Sequence, residues 1–462
     1  MNPPCNLKLP YHIDGFTPSI PLGLAYIAAV LRQEGHKVLI IDAPAEGRSM
    51  QAWNESVCTI GLPWRIIRDR INGYNPDVVG VSCAFSSRFM NALKVTQYAK
   101  QVIPDVVTVM GGIHPTILPD ETLKHPSVDF VILGEGEETI VKLLDGKSNP
   151  EKIDGLAWQQ NGDIHLNPKT QFIEDLDKLP FPARDLLPME QYRCTYREPR
   201  WETGKESVSN PDRNTIITSR GCPFDCTFCS IHASWGYKWR ARSPEDVVEE
   251  LREMIDVYGL KQMSFEDDNL LYSRKRMIEL CGLIIEEKLD FEWDTPNGVN
   301  MISLDRELLA LMKKAGCRTL KFGIESLDPN ILKDVIHKPL TIEIARNIVN
   351  LCKELGINTI GNFVLGMPGE TRDTIQRTID AAKTLPLDEL NVAIATPYPG
   401  TQLYDLCLEK GYIEKFDYAN FLADDSMETS AMINTPWLKA AEVMELRKTF
   451  YEEFRHTRLQ CP

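Results

Sequence analysis

The chain has 462 residues, 43% of them hydrophobic and 25% charged, a globular composition too long for one core, so two or three domains are expected. Its 51 Lys and Arg against 66 Asp and Glu give a formal charge of -15, which repels phosphate backbones and argues against nucleic acid as a partner. No apolar run reaches the roughly 18 residues that cross a bilayer, and no basic region followed by an apolar stretch opens the chain. No membrane partner and a cytoplasmic location are therefore expected.

The first part alternates helix-like and strand-like segments, the pattern of an open parallel sheet. LGLAYIAAVLRQEG (22–35) reads as a helix ending on Gly35, and HKVLIIDA (36–43) as a buried strand after it. DVVGVSCA (77–84), DVVTVMGG (105–112) and DFVILGEG (129–136) read as further strands, the first two joined by a helix around 88–102. A doubly wound sheet would also carry a central first strand ahead of MNPPCNLK, and losing it would expose two sheet edges. The expectation is that the true start lies upstream of Met1 or that this domain, placed at 1–145, begins atypically.

A connector is placed at 146–213. In it AWQQNGDIHL (157–166) reads as a hairpin, with Asn161-Gly162 suited to a type I′ turn. The Pro-rich DLDKLPFPARDLLP (175–188) reads as an extended run over the surface. From 214 to 411 the strands NTIITS, QMSFEDD, FEWDTPNG, RTLKFGIES, TIGNFVLGMP and LNVAIATPYP alternate with helical stretches. One of these, SPEDVVEELREMIDVYG (243–259), has Ser243 and Asp246 suited to a helix N-terminus. Six βα units predict three-quarters of a TIM-type barrel, with functional groups at the carboxyl ends of the strands. The tail, 412–462, reads as irregular and then helical over 438–456.

Nine of the twelve cysteines are dispersed (Cys5, Cys58, Cys83, Cys194, Cys281, Cys317, Cys352, Cys407, Cys461), and those in apolar helical patterns read as buried inert thiols. The other three, Cys222, Cys226 and Cys229, stand in RGCPFDCTFC (220–229), directly after NTIITS. Thiolates at this spacing can wrap one face of a cubane cluster, leaving its fourth iron open to a substrate. A structural zinc site wants four ligands, and His232 could supply the fourth, so zinc stays open on spacing alone.

With this motif and the strand ends behind it, residues 214–400 resemble the radical S-adenosylmethionine superfamily. The resemblance implies a 4Fe-4S cluster on Cys222, Cys226 and Cys229, with Phe228 as the aromatic before the last cysteine. It implies S-adenosylmethionine bound at the open iron and cleaved to methionine and a 5′-deoxyadenosyl radical. Glu266, Asp267 and Asp268 of FEDDN would meet the cofactor's amino group, and Glu325 of FGIES would accept from its polar groups. Gly366 of GNFVLGMPGET would allow close approach beside the adenine, and TPYPGT, with Pro397, resembles the sixth-strand motif. Each alone reads as a cap, a solvated charge or a turn; their order behind the cysteines carries the resemblance.

The front domain, 18–145, resembles the cobalamin-binding domain of one branch of that superfamily. Cobalamin domains of the methionine-synthase type read Asp-x-His-x-x-Gly, then Ser-x-Leu, then Gly-Gly. Here Asp42, Ser82 and Gly111-Gly112 hold those places, while Pro44 replaces the histidine, Gly47 comes one position late and Ala84 replaces the leucine. Proline cannot ligate cobalt, so no histidine lower ligand comes from the 42–47 loop. Leu22 and Gly23 in PLGLAYIA, GGIHPT (111–116), and Gly134, Glu135 and Gly136 in GEGEET look like the branch's loops around the corrin. His114 reads as a polar loop histidine rather than a ligand. The alternative is a doubly wound domain that binds nothing or another nucleotide.

The fold class expected is thus α/β: an N-terminal doubly wound, Rossmann-like cobalamin domain, a partial (β/α)6 radical S-adenosylmethionine barrel, and a small helical C-terminal region. The combination resembles the cobalamin-dependent radical methylases of class B, and RGCPFDCTFC, FEDDN and IHKPLT are worded like the phosphonate-antibiotic methylases. It implies methylation of an unactivated carbon of a small-molecule metabolite, with an electron donor such as flavodoxin or ferredoxin and no protein nucleophile. Two alternatives stay open: a cobalamin-linked radical enzyme that closes a ring or rearranges carbon without methyl transfer, and a cobalamin and iron–sulfur sensor that catalyses nothing.

Overall fold

The structure is a computed structural model that describes residues 1–8, 18–47, 49–52, 57–146, 148–193, 207–208, 214–413 and 431–460. The described residues of Met1–Arg193 and Ile231–Gly236 form one compact unit, and those of Cys194–Ser230, Tyr237–Lys415 and Met427–Pro462 a second.

In the first unit, β1 (Cys5–Lys8), β2 (Ser49–Ala52) and β3 (Val57–Gly61) make a small antiparallel sheet in the order β1-β3-β2. The main sheet runs β4 (Val78–Ser82), β5 (Val107–Gly111), β6 (Phe130–Ile132), β7 (Leu156–Gln160) and β8 (Asp163–Leu166) in that spatial order. Its first three strands are parallel and the last two antiparallel. Val79, Val81, Val109, Met110 and Val131 are buried, while burial alternates along the first strand, β4, where Gly80 is exposed. The helix Phe89–Val102 crosses from β4 to β5 and sends Phe89, Ala92, Leu93 and Ala99 into the core at helical spacing. Asn161 (φ 54°) and Gly162 (φ 91°) form the tight turn between β7 and β8, and that hairpin extends the main sheet.

Two sequence expectations change. Residues 36–41 form no strand: Ile40, Ile41 and Ala43 are buried, yet the only pairing among the described residues is one bridge between Asn2 and Asp42. There Asn2 N–H donates to Ile41 O (2.9 Å) and Ala43 N–H to Asn2 O (3.1 Å). An apolar run dictates burial, whereas a strand also needs a neighbouring backbone. Residues 175–188 do not run extended over the surface. They make short turns at Leu176–Lys178 and Arg184–Leu186, with Leu176, Ala183, Arg184 and Leu187 buried and Ala183 N–H donating to Ala25 O (3.1 Å).

The second unit holds β9 (Thr215–Ile216), β12 (Gln262–Phe265), β13 (Glu292–Val299), β14 (Cys317–Glu325), β15 (Asn358–Leu365) and β16 (Glu389–Ile394) in one six-stranded parallel sheet, adjacent in that order. A short antiparallel pair, β10 (Ser219–Arg220) and β11 (Arg240–Ala241), stands beside it. Five crossover helices start at Ser243, Ser273, Asp305, Thr341 and Thr371, whose side chains each accept the N–H three residues on. Such a cap stabilises a helix by about 1 kcal/mol. The C-terminal helix Ala440–Gln460 packs on the last strands: Phe450 lies 5.0 Å from Phe363, and Tyr451 Oη accepts from Val392 N–H (3.0 Å).

Candidate functional site

The cysteine loop leaves the carboxyl end of β9. Cys229 N–H donates to Cys226 O (3.0 Å), Thr227 Oγ1 to Val335 O (2.8 Å), and Leu403 N–H to Thr227 O (2.9 Å). Phe228 packs into the cluster of Ile331, Ile336, Met367 and Leu403, so the loop is tied to later parts of the same unit. None of the three cysteines is in a disulfide, and all are half-buried. Burial pushes Cys226 up to about 12, with Lys338 pulling it back, and also raises Cys222, which hydrogen bonds from the Phe224 backbone and Asn269 draw down. Three half-buried cysteines on a braced loop, with an amide donor aimed at one of them, suit a thiolate-bound cluster.

FEDDN ends β12 next to this loop. Asp267 is fully buried and accepts from Thr218 N–H (3.2 Å), Thr218 Oγ1 (2.8 Å) and Ser219 Oγ. Asp268 accepts from Gly221 N–H, and burial followed by the charge of Asp267 pushes it up to about 7. Glu266 is half-buried; its N–H donates to Ile216 O (2.9 Å) and its carbonyl accepts from Asn297 Nδ2 (2.7 Å).

Glu325 ends β14 at φ 64°, a left-handed conformation that a Glu adopts only under constraint. Its carboxylate accepts from Lys338 Nζ at 3.0 Å. Between them lie a π-helix, Ile331–Ile336, and His337 at φ 65°. Burial is the largest single influence on Lys338 and lowers its pKa, but the charge and hydrogen bond of Glu325 together with the charges of Cys226 and Cys222 outweigh it, and the net shift is upward. Gly323 leaves room for this pair, since a Cβ would meet Glu325 Oε1 at 2.5 Å and Lys338 Nζ at 2.7 Å. In GNFVLGMPGET, buried Glu370 accepts from Gly366 N–H (2.7 Å) and Met367 N–H (2.9 Å), and burial pushes it up to about 8. A Cβ on Gly366 (φ 90°) would stand 3.2 Å from Val443 of the C-terminal helix. Pro397 is buried just past β16. Sequence reasoning passed over Lys338, Asn269 and Glu370; the Lys-Pro after FGIES and the third polar residue of Asp-Asp-Asn were the available signals.

In the first unit, Ser82, Gly111-Gly112 and Gly134 stand at the carboxyl ends of β4, β5 and β6. Gly112 (φ 112°) lies against the Cys83 backbone, Gly134 is at φ 60°, and Gly136 faces Ile27 and Ile132. Gly23 is exposed with nothing near it, whereas Leu22 is buried. Glu135 is 2% exposed and accepts from Ile173 N–H (2.8 Å). His114 is no polar loop residue. It is fully buried in the helix Ile113–Ile117, 4.1 Å from the Phe89 ring and 3.0 Å from Ser86 Oγ, and burial lowers its pKa to about 4. Asp42 is buried too, accepting from Tyr192 Oη (2.5 Å) and Asn2 Nδ2 (2.7 Å), with Pro44 packed inside the same turn. Bare glycine backbone at parallel strand ends suits the close passage of a nucleotide tail, so these residues fit a corrinoid. Of the dispersed cysteines, Cys5, Cys58, Cys83, Cys281, Cys317, Cys352 and Cys407 are buried, while Cys194 and Cys461 lie outside the described residues.

Comparison with known proteins agrees with this division. Residues 216–382 match the Radical SAM superfamily and residues 17–144 the B12 binding domain. The chain is 34% identical to an uncharacterized methyltransferase, PH0819, of Pyrococcus horikoshii, covering 88% of this chain and 82% of that one. It is 31% identical to the cytidylyl-2-hydroxyethylphosphonate methyltransferase of Streptomyces wedmorensis, covering 95% and 86%. Its fold resembles the radical S-adenosylmethionine methyltransferase TsrM of Kitasatospora setae, solved with cobalamin and a [4Fe-4S] cluster bound, with a TM-score of 0.67 at 19% identity over 86% of this chain and 77% of that one. The chain belongs to the cobalamin-dependent radical S-adenosylmethionine methylases, enzymes whose cofactors are a [4Fe-4S] cluster, S-adenosylmethionine and cobalamin.

Proposed function

We propose that this methylase acts on an unactivated carbon of a small molecule, with Cys222, Cys226 and Cys229 holding the cluster. When bound, the cofactors supply a transferable methyl group and a carbon radical. The observation that carries the reading is the cysteine loop itself, braced at the end of the first of six parallel strands, with the polar ends of the second and fourth strands beside it. In this reading Glu266, Asp268 and Glu325 present acceptors toward S-adenosylmethionine, with Phe228, Gly366 and Pro397 shaping the surrounding wall and Asp267 anchoring the loop. Gly23, Ser82, Gly111, Gly112, Gly134 and Gly136 edge the corrinoid site, backed by buried Leu22 and Glu135. The reducing electron comes from a flavodoxin or ferredoxin in the cytoplasm, and neither nucleic acid nor membrane takes part.

The likeness to the phosphonate methyltransferase over most of both chains makes a cytidylylated hydroxyethylphosphonate the first substrate to try. With methyl-deuterated S-adenosylmethionine the product gains the label, and S-adenosylhomocysteine and 5′-deoxyadenosine form together. Product without label and without S-adenosylhomocysteine would favour ring closure or rearrangement instead. Replacing all three cysteines by Ala removes the iron and abolishes 5′-deoxyadenosine; cleavage surviving in that variant would refute the site.

A further inference from the structure

Three consecutive side chains of FEDDN each grip a different point of the cysteine loop. Asp267 holds Thr218 and Ser219, Asp268 holds Gly221, and Asn269 Nδ2 donates to Cys222 Sγ at 3.5 Å. Asn269 is 2% exposed. Its backbone carbonyl accepts from the Trp239 indole N–H (3.0 Å) and from Tyr272 N–H (3.3 Å), and the Trp239 and Tyr272 rings lie 5.2 Å apart, so the residue is fixed independently of its side chain.

The amide is set in one direction. A thiolate ligated to iron can only accept, so the NH2 end must face Cys222. Oδ1 is then buried with no hydrogen-bond partner among the described residues. A buried unsatisfied carbonyl costs about 1–3 kcal/mol, so a leucine of the same size would suit the packing better. An asparagine is retained at such a site for what its donor end does.

We propose that Asn269 is a positioning residue of the cluster: its N–H···S bond to Cys222 withdraws charge from that sulfur and raises the cluster's reduction potential. This rests on the cysteine assignment above. Reduction adds one electron, supplied by a low-potential donor of the flavodoxin or ferredoxin class, and puts extra negative charge on iron and sulfur. A donor aimed at a ligating sulfur stabilises the reduced state more than the oxidised one.

The test is a potentiometric titration of the anaerobically reconstituted full-length protein, read by the electron paramagnetic resonance of the reduced cluster, without S-adenosylmethionine. Asn269→Leu keeps the volume and removes the donor; Asn269→Asp keeps the shape and turns a carboxylate toward the sulfur. At the wild-type midpoint the Leu variant should show about a tenfold lower ratio of reduced to oxidised cluster, which is about 59 mV for one electron, and the Asp variant a larger drop. The Asp variant preserves both backbone bonds and carries the test if the Leu variant folds poorly. Variants with four irons per chain and unshifted midpoints overturn this proposal alone. A wild-type protein that holds no four-iron cluster overturns the cysteine assignment and this proposal with it.

Discussion

Gly111 and Gly112 look equivalent as sequence, and the structure separates them. A Cβ on Gly112 would stand 2.6 Å from Cys83 O and 2.7 Å from Cys83 C, backbone atoms that no rotamer change can move. Its φ of 112° is a conformation reserved for glycine, costing another residue about 1–3 kcal/mol. Relief would require the Cys83 peptide to shift, breaking the bonds from Cys83 N–H to Gly111 O (2.7 Å) and from His114 N–H to Cys83 O (3.3 Å). At about 1 kcal/mol for each bond, Gly112→Ala should cost roughly 3–5 kcal/mol in all. A Cβ on Gly111 would meet only Ile132 O at 3.8 Å and Ile132 Cβ at 3.9 Å, ordinary contact, so Gly111→Ala should change stability by less than about 1 kcal/mol. Because the chain has two units, a single melting curve is a poor readout, and amide hydrogen exchange over 78–84 and 105–112 is the appropriate assay. Protection there should fall roughly a hundred- to a few-thousand-fold in Gly112→Ala at 1.4 kcal/mol per tenfold, and stay near wild type in Gly111→Ala. Spectrophotometric titration with hydroxocobalamin should then show the stable Gly111→Ala protein binding more weakly, because its added methyl projects at the strand end where the tail would pass. Unchanged protection in Gly112→Ala, or a larger loss in Gly111→Ala, would refute the reasoning.

Three further outcomes follow from buried groups. His114, lowered by burial to about 4, holds a proton less tightly folded than unfolded; its contribution is full above pH 6.5 and is lost as pH falls through about 4, up to roughly 3 kcal/mol. Denaturant titrations at pH 7 and pH 4.5 should show that acid-side loss shrinking in His114→Gln. Gly323→Ala should leave amide exchange protection over 317–325 within about tenfold of wild type, since the clashing atoms are side-chain ends that can swing away, but should cut 5′-deoxyadenosine formation at least tenfold by parting Glu325 from Lys338. Bound cobalamin in the cobalt(II) state should lack imidazole nitrogen hyperfine structure from the 42–47 loop, where Pro44 takes the histidine's place; finding it would overturn the reading of that loop.

The parts of the fold that were legible in the sequence are those fixed by local pattern. VVGVS and VTVMG were legible as strands because nearly every residue is β-branched or apolar, and Asn161-Gly162 as a tight turn because both residues accept positive φ. HKVLIIDA misled because the same pattern reports burial without reporting a partner strand, and only Asn2 bridges it among the described residues. The small sheet of β1, β2 and β3 was not foreseen, since β1 pairs in register with a segment about 50 residues further along the chain. Pro-rich 175–188 was misread for a related reason: proline sets the turns, but whether Arg184 and Leu187 go inward depends on what they meet.

At the candidate site, residues that the sequence groups into one segment differ in their hydrogen bonds. FEDDN carries three acidic residues that a motif treats alike, yet Asp267 spends its acceptor sites on Thr218 and Ser219 and has little left for a ligand, while Glu266 lies half-exposed at the strand end. Glu135 likewise accepts from Ile173 N–H, and Glu370 braces the Gly366–Met367 turn. Lys338 could not be found by spacing at all: it reaches Glu325 only because a π-turn and a left-handed His337 fold thirteen residues back on themselves. Backbone strain at both ends of that pair, beside the cysteine loop through Thr227 and Val335, is the mark of a segment shaped by its site rather than by its own propensity.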